Sequence, residues 1–176
     1  MSVCISAREH LTLCLVIKLF ISEMASAIIK FSALLMVFGF CTADIGESPV
    51  TEVCLGCICQ AISGCKEGTL CDGDACGLFR ITWAYWADAQ KPTLPGVSPD
   101  ATDAYSSCAN NPQCAAQTVQ NYMRRFGQDC NNDGVVNCYD FMAIHKLGGY
   151  GCKGDLPFQY VNVFNQCVAA VAAHQG

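Results

Sequence analysis

The sequence predicts an α+β domain, mostly helical with one small β element and heavily disulfide-bonded. Three observations carry that expectation. Apolar residues recur at helical spacing in several segments, most clearly at Ala115, Val119, Tyr122, Met123 and Phe126. A single aromatic and β-branched run, Leu78–Trp86, has the character of a strand leading into a short buried segment. Of the 15 cysteines, 12 lie between Cys54 and Cys167, a density that suits disulfides in an oxidising compartment and would be a liability among reduced thiols.

In chain order, the first feature is a leader. Phe31–Phe40 is an apolar core of ten residues behind Lys30, followed by the small residues of Cys41-Thr42-Ala43. This is the layout of a secretory signal opened by Met24, too short to span a bilayer. Residues 1–43 are therefore read as an upstream extension plus a signal peptide over 24–43, and 44–176 as the domain, with an uncleaved N-terminal anchor opened by Met1 as the alternative. Cys4, Cys14 and Cys41 leave with the leader, and the remaining 12 cysteines are an even number. Residues 44–176 carry 7 Lys and Arg against 13 Asp and Glu, a net charge of −6. Such a chain gains no counterion-release affinity for nucleic acid and is not drawn to anionic surfaces.

Residues 44–53 form a polar lead-in. CLGCICQAIS (54–63) suits a short helix, and the rest of the block to Cys76 reads as bridged loops. Pro92, Pro95, Gly96 and Pro99 mark a surface loop over 91–103. Helices are expected over 113–126, 139–147 and about 157–171, with Gly148 and Gly149 ending the second. Arg124 and Arg125 are assigned to a solvated helix face. Trp83, Tyr85 and Trp86 are candidates for sugar stacking, with core packing expected for at least two of them. Zinc at Cys54-x-x-Cys57-x-Cys59 is set aside in favour of disulfides.

The motifs CLGCICQAISGC (54–65), CGLFRITWAYWAD (76–88), CAAQTVQNYMRRF (114–126) and FMAIHKLGGYGC (141–152), in this order, resemble the invertebrate-type lysozymes, the destabilase family, and look nearest to its insect branch. The resemblance spans roughly residues 52–168. It implies a mostly helical, lysozyme-like fold with a cleft between helices and β element. It also implies secretion as an antibacterial or digestive monomer, and action on the β-1,4 glycan of peptidoglycan with no required cofactor. Some members of the family also hydrolyse isopeptide bonds. Short-range disulfides are implied at Cys59–Cys65, Cys71–Cys76 and Cys108–Cys114. Cys54, Cys57, Cys130, Cys138, Cys152 and Cys167 keep 15 possible connectivities, expected to tie the N-terminal block to the C-terminal half. Two further cysteines common in the family are replaced here, near Ala89 and Thr118, as the joint loss of one bridge would require.

Glycan hydrolysis needs one protonated and one ionised carboxyl group. The family's acid is a Glu in C-x-C-x-x-E-S-G, and the matching residue here is Ile62, which cannot donate a proton. Asp74 stands at the second carboxylate's position, although the serine-containing loop behind it is cut to Ala75. Glu67 is the only nearby replacement acid. His145 matches the family histidine of the isopeptidase reading, but its serine partners fall in the deleted loop, so it is read as a structural or cleft residue. Whether the chain is a hydrolase is thus open: weak or lost muramidase activity is expected, with a non-catalytic peptidoglycan-binding module as the alternative. A third reading, a calcium-stabilised extracellular structural or signalling protein, rests on Asp129, Asn131, Asp133, Val135, Asn137 and Asp140. These follow the D-x-N-x-D-G spacing of a calcium loop, against an Asx-rich turn as the plain reading.

Overall fold

The computed structural model describes residues 48–66 and 70–174. The leader and Glu67 lie outside the described residues. Helix α1 (Glu52–Ser63) starts where the Thr51 side chain accepts from Cys54 N, and stops at Gly64, whose left-handed φ of 72° turns its N–H back to the Cys59 and Gln60 carbonyls. Two short antiparallel strands follow, β1 (Ala75–Cys76) and β2 (Ile81–Thr82), with Ala75 opposite Thr82 and Cys76 opposite Ile81.

Within Leu78–Trp86, expected as a strand leading into a short buried segment, the strand is Ile81–Thr82 and the segment after it is helical. Thr82 caps Tyr85 N and turns the chain into helix α2 (Trp83–Asp88), so a hydroxyl N-cap overrides the β propensity of the aromatic run. Helix α3 (Ala104–Asn110) was not anticipated. Helix α4 (Pro112–Phe126) was, with Asn111 as cap and Pro112 in its first turn. Its residues Ala115, Val119, Tyr122, Met123 and Phe126 are all buried, as their spacing required. Helices α5 (Cys138–Leu147) and α6 (Phe158–His174) complete the domain.

Among the described residues the core is one cluster gathered from all six helices and the β element, with Ile58, Trp86, Val119, Ile144 and Phe164 among its fully enclosed side chains. Burying each such side chain contributes roughly 1.5–3 kcal/mol. Six disulfides reinforce it. Cys57–Cys167 joins α1 to α6 and Cys54–Cys138 joins α1 to α5. Cys59–Cys65, Cys71–Cys76 and Cys108–Cys114 close short loops. Cys130–Cys152 departs from the expectation for the six long-range cysteines, because it closes the C-terminal half on itself.

Two glycines fix how tightly the elements meet. Gly77, at φ 72°, sits where a Cβ would stand 1.8 Å from the Ala109 carbonyl oxygen, so it lets the β element press against α3. Gly149 lies against the Phe126 ring, where a Cβ would approach to 2.4 Å.

Candidate functional site

A cleft of about 430 Å³ opens between the end of α1, the β element, α2 and the end of α5. Its wall is built from Ile62, Ala75, Arg80, Thr82, Ala84, Tyr85, Asp88, Tyr122, His145, Lys146 and Gly148. Two residues singled out in the sequence, Ile62 and His145, meet here from positions 83 apart in the chain. Asp74 does not line the cleft. Its side chain is exposed, and its backbone carbonyl accepts from Tyr105 Oη at 3.2 Å, beside the cleft residue Ala75.

The polar floor is a buried network. His145 Nε2 lies 2.9 Å from the Phe79 carbonyl oxygen, and Nδ1 lies 3.2 Å from Tyr85 Oη. A carbonyl can only accept, so Nε2 carries a proton. Burial, only partly offset by the bond to Phe79, pushes the imidazole down to about 4, so the ring is neutral near pH 7 and Nδ1 offers a lone pair. Tyr85 therefore donates to His145. The Tyr85 ring stacks on Tyr122 with centroids 3.7 Å apart and 11° between planes. Burial raises both phenols, Tyr85 the more strongly. Tyr122 Oη in turn accepts from Gly149 N at 3.1 Å.

Both nitrogens of His145 are thus engaged, and neither by a serine. Ser63, next to Ile62, donates to the Cys59 and Leu78 carbonyls. A serine nucleophile needs a basic partner within hydrogen-bond reach, and His145 has no such serine among its bonded neighbours.

Charge on the wall comes from residues the sequence did not single out. Asp88 pairs with Arg125 at 3.1 Å, and the same guanidinium donates to the Asp88 carbonyl at 2.9 Å. Arg125 is exposed, as a solvated face requires, and also braces α4 against α2. Arg124 donates to Asn121 at 3.0 Å and stays exposed. Arg80 holds the turn before β1, donating to the Asp72 carbonyl at 3.2 Å with its carboxylate 3.6 Å away. No sequence pattern signals the Asp88–Arg125 pair, whose members are 37 residues apart.

The three aromatics of the 83–86 run part company. Trp86 is core, its Nε1 donating to the Pro92 carbonyl at 2.7 Å; Tyr85 lines the cleft; Trp83 is exposed.

In the 129–140 loop the oxygens proposed for calcium face the protein's own amides. Asp129 accepts from Asp133 N and Gly134 N, and Asp133 accepts from Val135 N, which holds the Asp133 carboxyl below its ordinary value. Asn131 accepts from Asp133 N, and the Val135 carbonyl accepts from the Asn137 side chain at 3.5 Å. Asn137 caps α5, accepting from Tyr139 N. Asp140 is buried, and its two oxygens accept from Cys130 N and Asn137 N at 2.8 Å each, closing a capping box. Among the described residues, no group of three or more His, Cys, Asp or Glu side chains is placed to hold a metal ion.

The family model described as Destabilase matches residues 51–167. The chain is 34% identical over 129 residues to the lysozyme of Magallana gigas, covering 70% of this chain and 81% of that protein. It is 34% identical over 119 residues to invertebrate-type lysozyme 3 of Caenorhabditis elegans, covering 65% and 84%. Among solved structures it is similar to Meretrix lusoria lysozyme in complex with Aeromonas hydrophila PliI, with a TM-score of 0.55 and 33% identity, covering 68% of this chain and 92% of that one. Motif order, helical architecture, cleft and relatives agree, and the chain belongs to the destabilase family of invertebrate-type lysozymes.

Proposed function

We propose that this protein is a secreted lysozyme-family member that engages bacterial peptidoglycan in the cleft and hydrolyses it weakly or not at all. The observation that carries the reading is Ile62 on the cleft wall, at the position the motif C-x-C-x-x-E-S-G reserves for the acid. An aliphatic group there cannot protonate the leaving oxygen, and loss of a general acid typically costs about 10²–10⁴ in rate. Asp74, the retained second carboxylate, is exposed at the cleft's edge. The neutral, doubly bonded His145 serves as a floor residue and not as a base for a nucleophile.

The tyrosine-floored cavity supports retention of a binding surface without its chemistry. Relatives named as lysozymes support peptidoglycan as the ligand. Six disulfides support secretion into an oxidising compartment, where the domain acts as a monomer. Calcium enters this reading only as a stabiliser of the 129–140 loop, where Asp129, Asp133 and Asp140 already accept hydrogen bonds from backbone amides.

The test is a pair of measurements on purified peptidoglycan with the disulfide-intact domain. Retention on the insoluble wall with little release of reducing ends is expected. Vigorous release would show that an acid outside position 62 serves, and absence of retention would refute the glycan reading.

A further inference from the structure

Donor and acceptor roles on the cleft floor can be followed to the ligand itself. The Phe79 carbonyl fixes the proton of His145 on Nε2, and Nδ1 then takes the hydrogen of Tyr85 Oη at 3.2 Å. Tyr85 lines the cleft and its only hydrogen is spent on His145, so a ligand group that reaches its oxygen meets a lone pair. Tyr122, stacked on it at 3.7 Å, has the opposite polarity: its oxygen accepts from Gly149 N, and that bond leaves its own hydrogen unspent. A ligand group reaching these two oxygens meets an acceptor at Tyr85 and a donor at Tyr122.

We infer that Tyr85 is a specificity-determining residue of the cleft, with His145 as its positioning residue, and that together they select a ligand carrying a hydrogen-bond donor against one whose groups only accept. This inference rests on the glycan reading above. A neutral, hydroxyl-rich pyranose, with donor and acceptor on neighbouring groups, fits the tyrosine pair. A carboxylate set against Tyr85 would place lone pair against lone pair, and a buried polar group left so mismatched is costly. The role assigned to His145 is electrostatic bookkeeping of one proton, with no nucleophile involved.

Two measurements on the intact domain test it. Long-range proton–nitrogen NMR of the wild type at neutral pH reads which His145 nitrogen carries the proton. Calorimetric titration with chitotetraose, a neutral β-1,4 oligosaccharide, compares wild type with Tyr85→Phe, which keeps the stacked ring and removes only the hydroxyl. The expected results are protonation at Nε2 alone, before and after ligand, and an affinity about 2- to 12-fold weaker in the variant, the value of one net hydrogen bond. Protonation at Nδ1 would reverse the polarity and overturn the proposal even if the variant is poorly folded. Equal affinities would overturn the role of Tyr85 while leaving the glycan reading in place. No binding by the wild type would remove both.

Discussion

Replacing Ile62 by Glu asks whether the cleft lacks only its acid. The side chain is half-buried on the cleft wall, packed against the core from the last turn of α1. Full burial of an isoleucine contributes roughly 1.5–3 kcal/mol, so a half-buried one exchanged for a polar group costs about 1 kcal/mol, which a domain held by six disulfides tolerates. Partial desolvation of the new carboxyl raises its pKa and favours the protonated form that a donor needs. The expected gain is that of a general acid, about 10²–10⁴ in rate, or roughly 3–5 kcal/mol of barrier. The assay is release of reducing ends from purified peptidoglycan, with Ile62→Gln as the control of equal shape that cannot serve as the acid. Adding Asp74→Asn should cancel the gain. Adding Asp88→Asn should largely spare it, because Asp88 is committed to Arg125 at 3.1 Å. A folded I62E variant no more active than I62Q would refute the reasoning, and would mean that shortening the loop behind Asp74 has removed the second carboxylate from reach.

Three further outcomes follow from the described contacts. The folded-state pKa of His145 is depressed from 6.5 to about 4, so between those values the unfolded chain binds the extra proton. Stability should fall as pH drops through that window, by about 3 kcal/mol for this group. Urea unfolding at a series of pH values reads the fall, and an NMR titration of His145 near 6.5 would contradict it. Gly77→Ala should destabilise the domain by at least about 2 kcal/mol, since left-handed backbone and a clash with the Ala109 carbonyl act together. A thermal midpoint equal to wild type would show that β element and α3 are not pressed together there. Removing the Cys57–Cys167 bridge by double Ala substitution should cost about 2–5 kcal/mol and loosen α6 from α1. Hydrogen exchange would show the loss concentrated in α6, and uniform loss would argue against a local strut.

Much of the helical frame was legible because its signals are local. The 3.6-residue rhythm of α4 names its own buried face. Gly64 and Gly148 mark helix ends where the backbone takes positive φ. The run 78–86 was legible as a strand leading into a buried segment, but not the helical form of that segment, which the Thr82 cap and the packing of Trp86 decide. Helix α3 carries no strong apolar stripe in AYSSCAN, and its buried Ala104, Cys108 and Ala109 are small enough to leave the periodicity faint. The cleft was legible where a motif pointed to it, at Ile62 and His145, and where an aromatic was singled out for stacking, at Tyr85. Asp88 and Tyr122 reach it through pairings across tens of residues, which no single-sequence rhythm records.

Those unrecorded pairings also bear on why the chemistry can be lost without the fold. Position 62, matched to the family's acid, sits on the last turn of α1, and neither the His145–Tyr85–Tyr122 floor nor the Asp88–Arg125 strut is bonded to it. An apolar residue at 62 instead adds to the core that α1 already shares with α6. Binding surface and proton donor are therefore separable elements of this architecture. A chain that exchanged the donor for packing would keep its shape, its disulfides and the polarity of its cleft floor. The same separability makes restoration of a single carboxyl group a fair test of what the cleft retains.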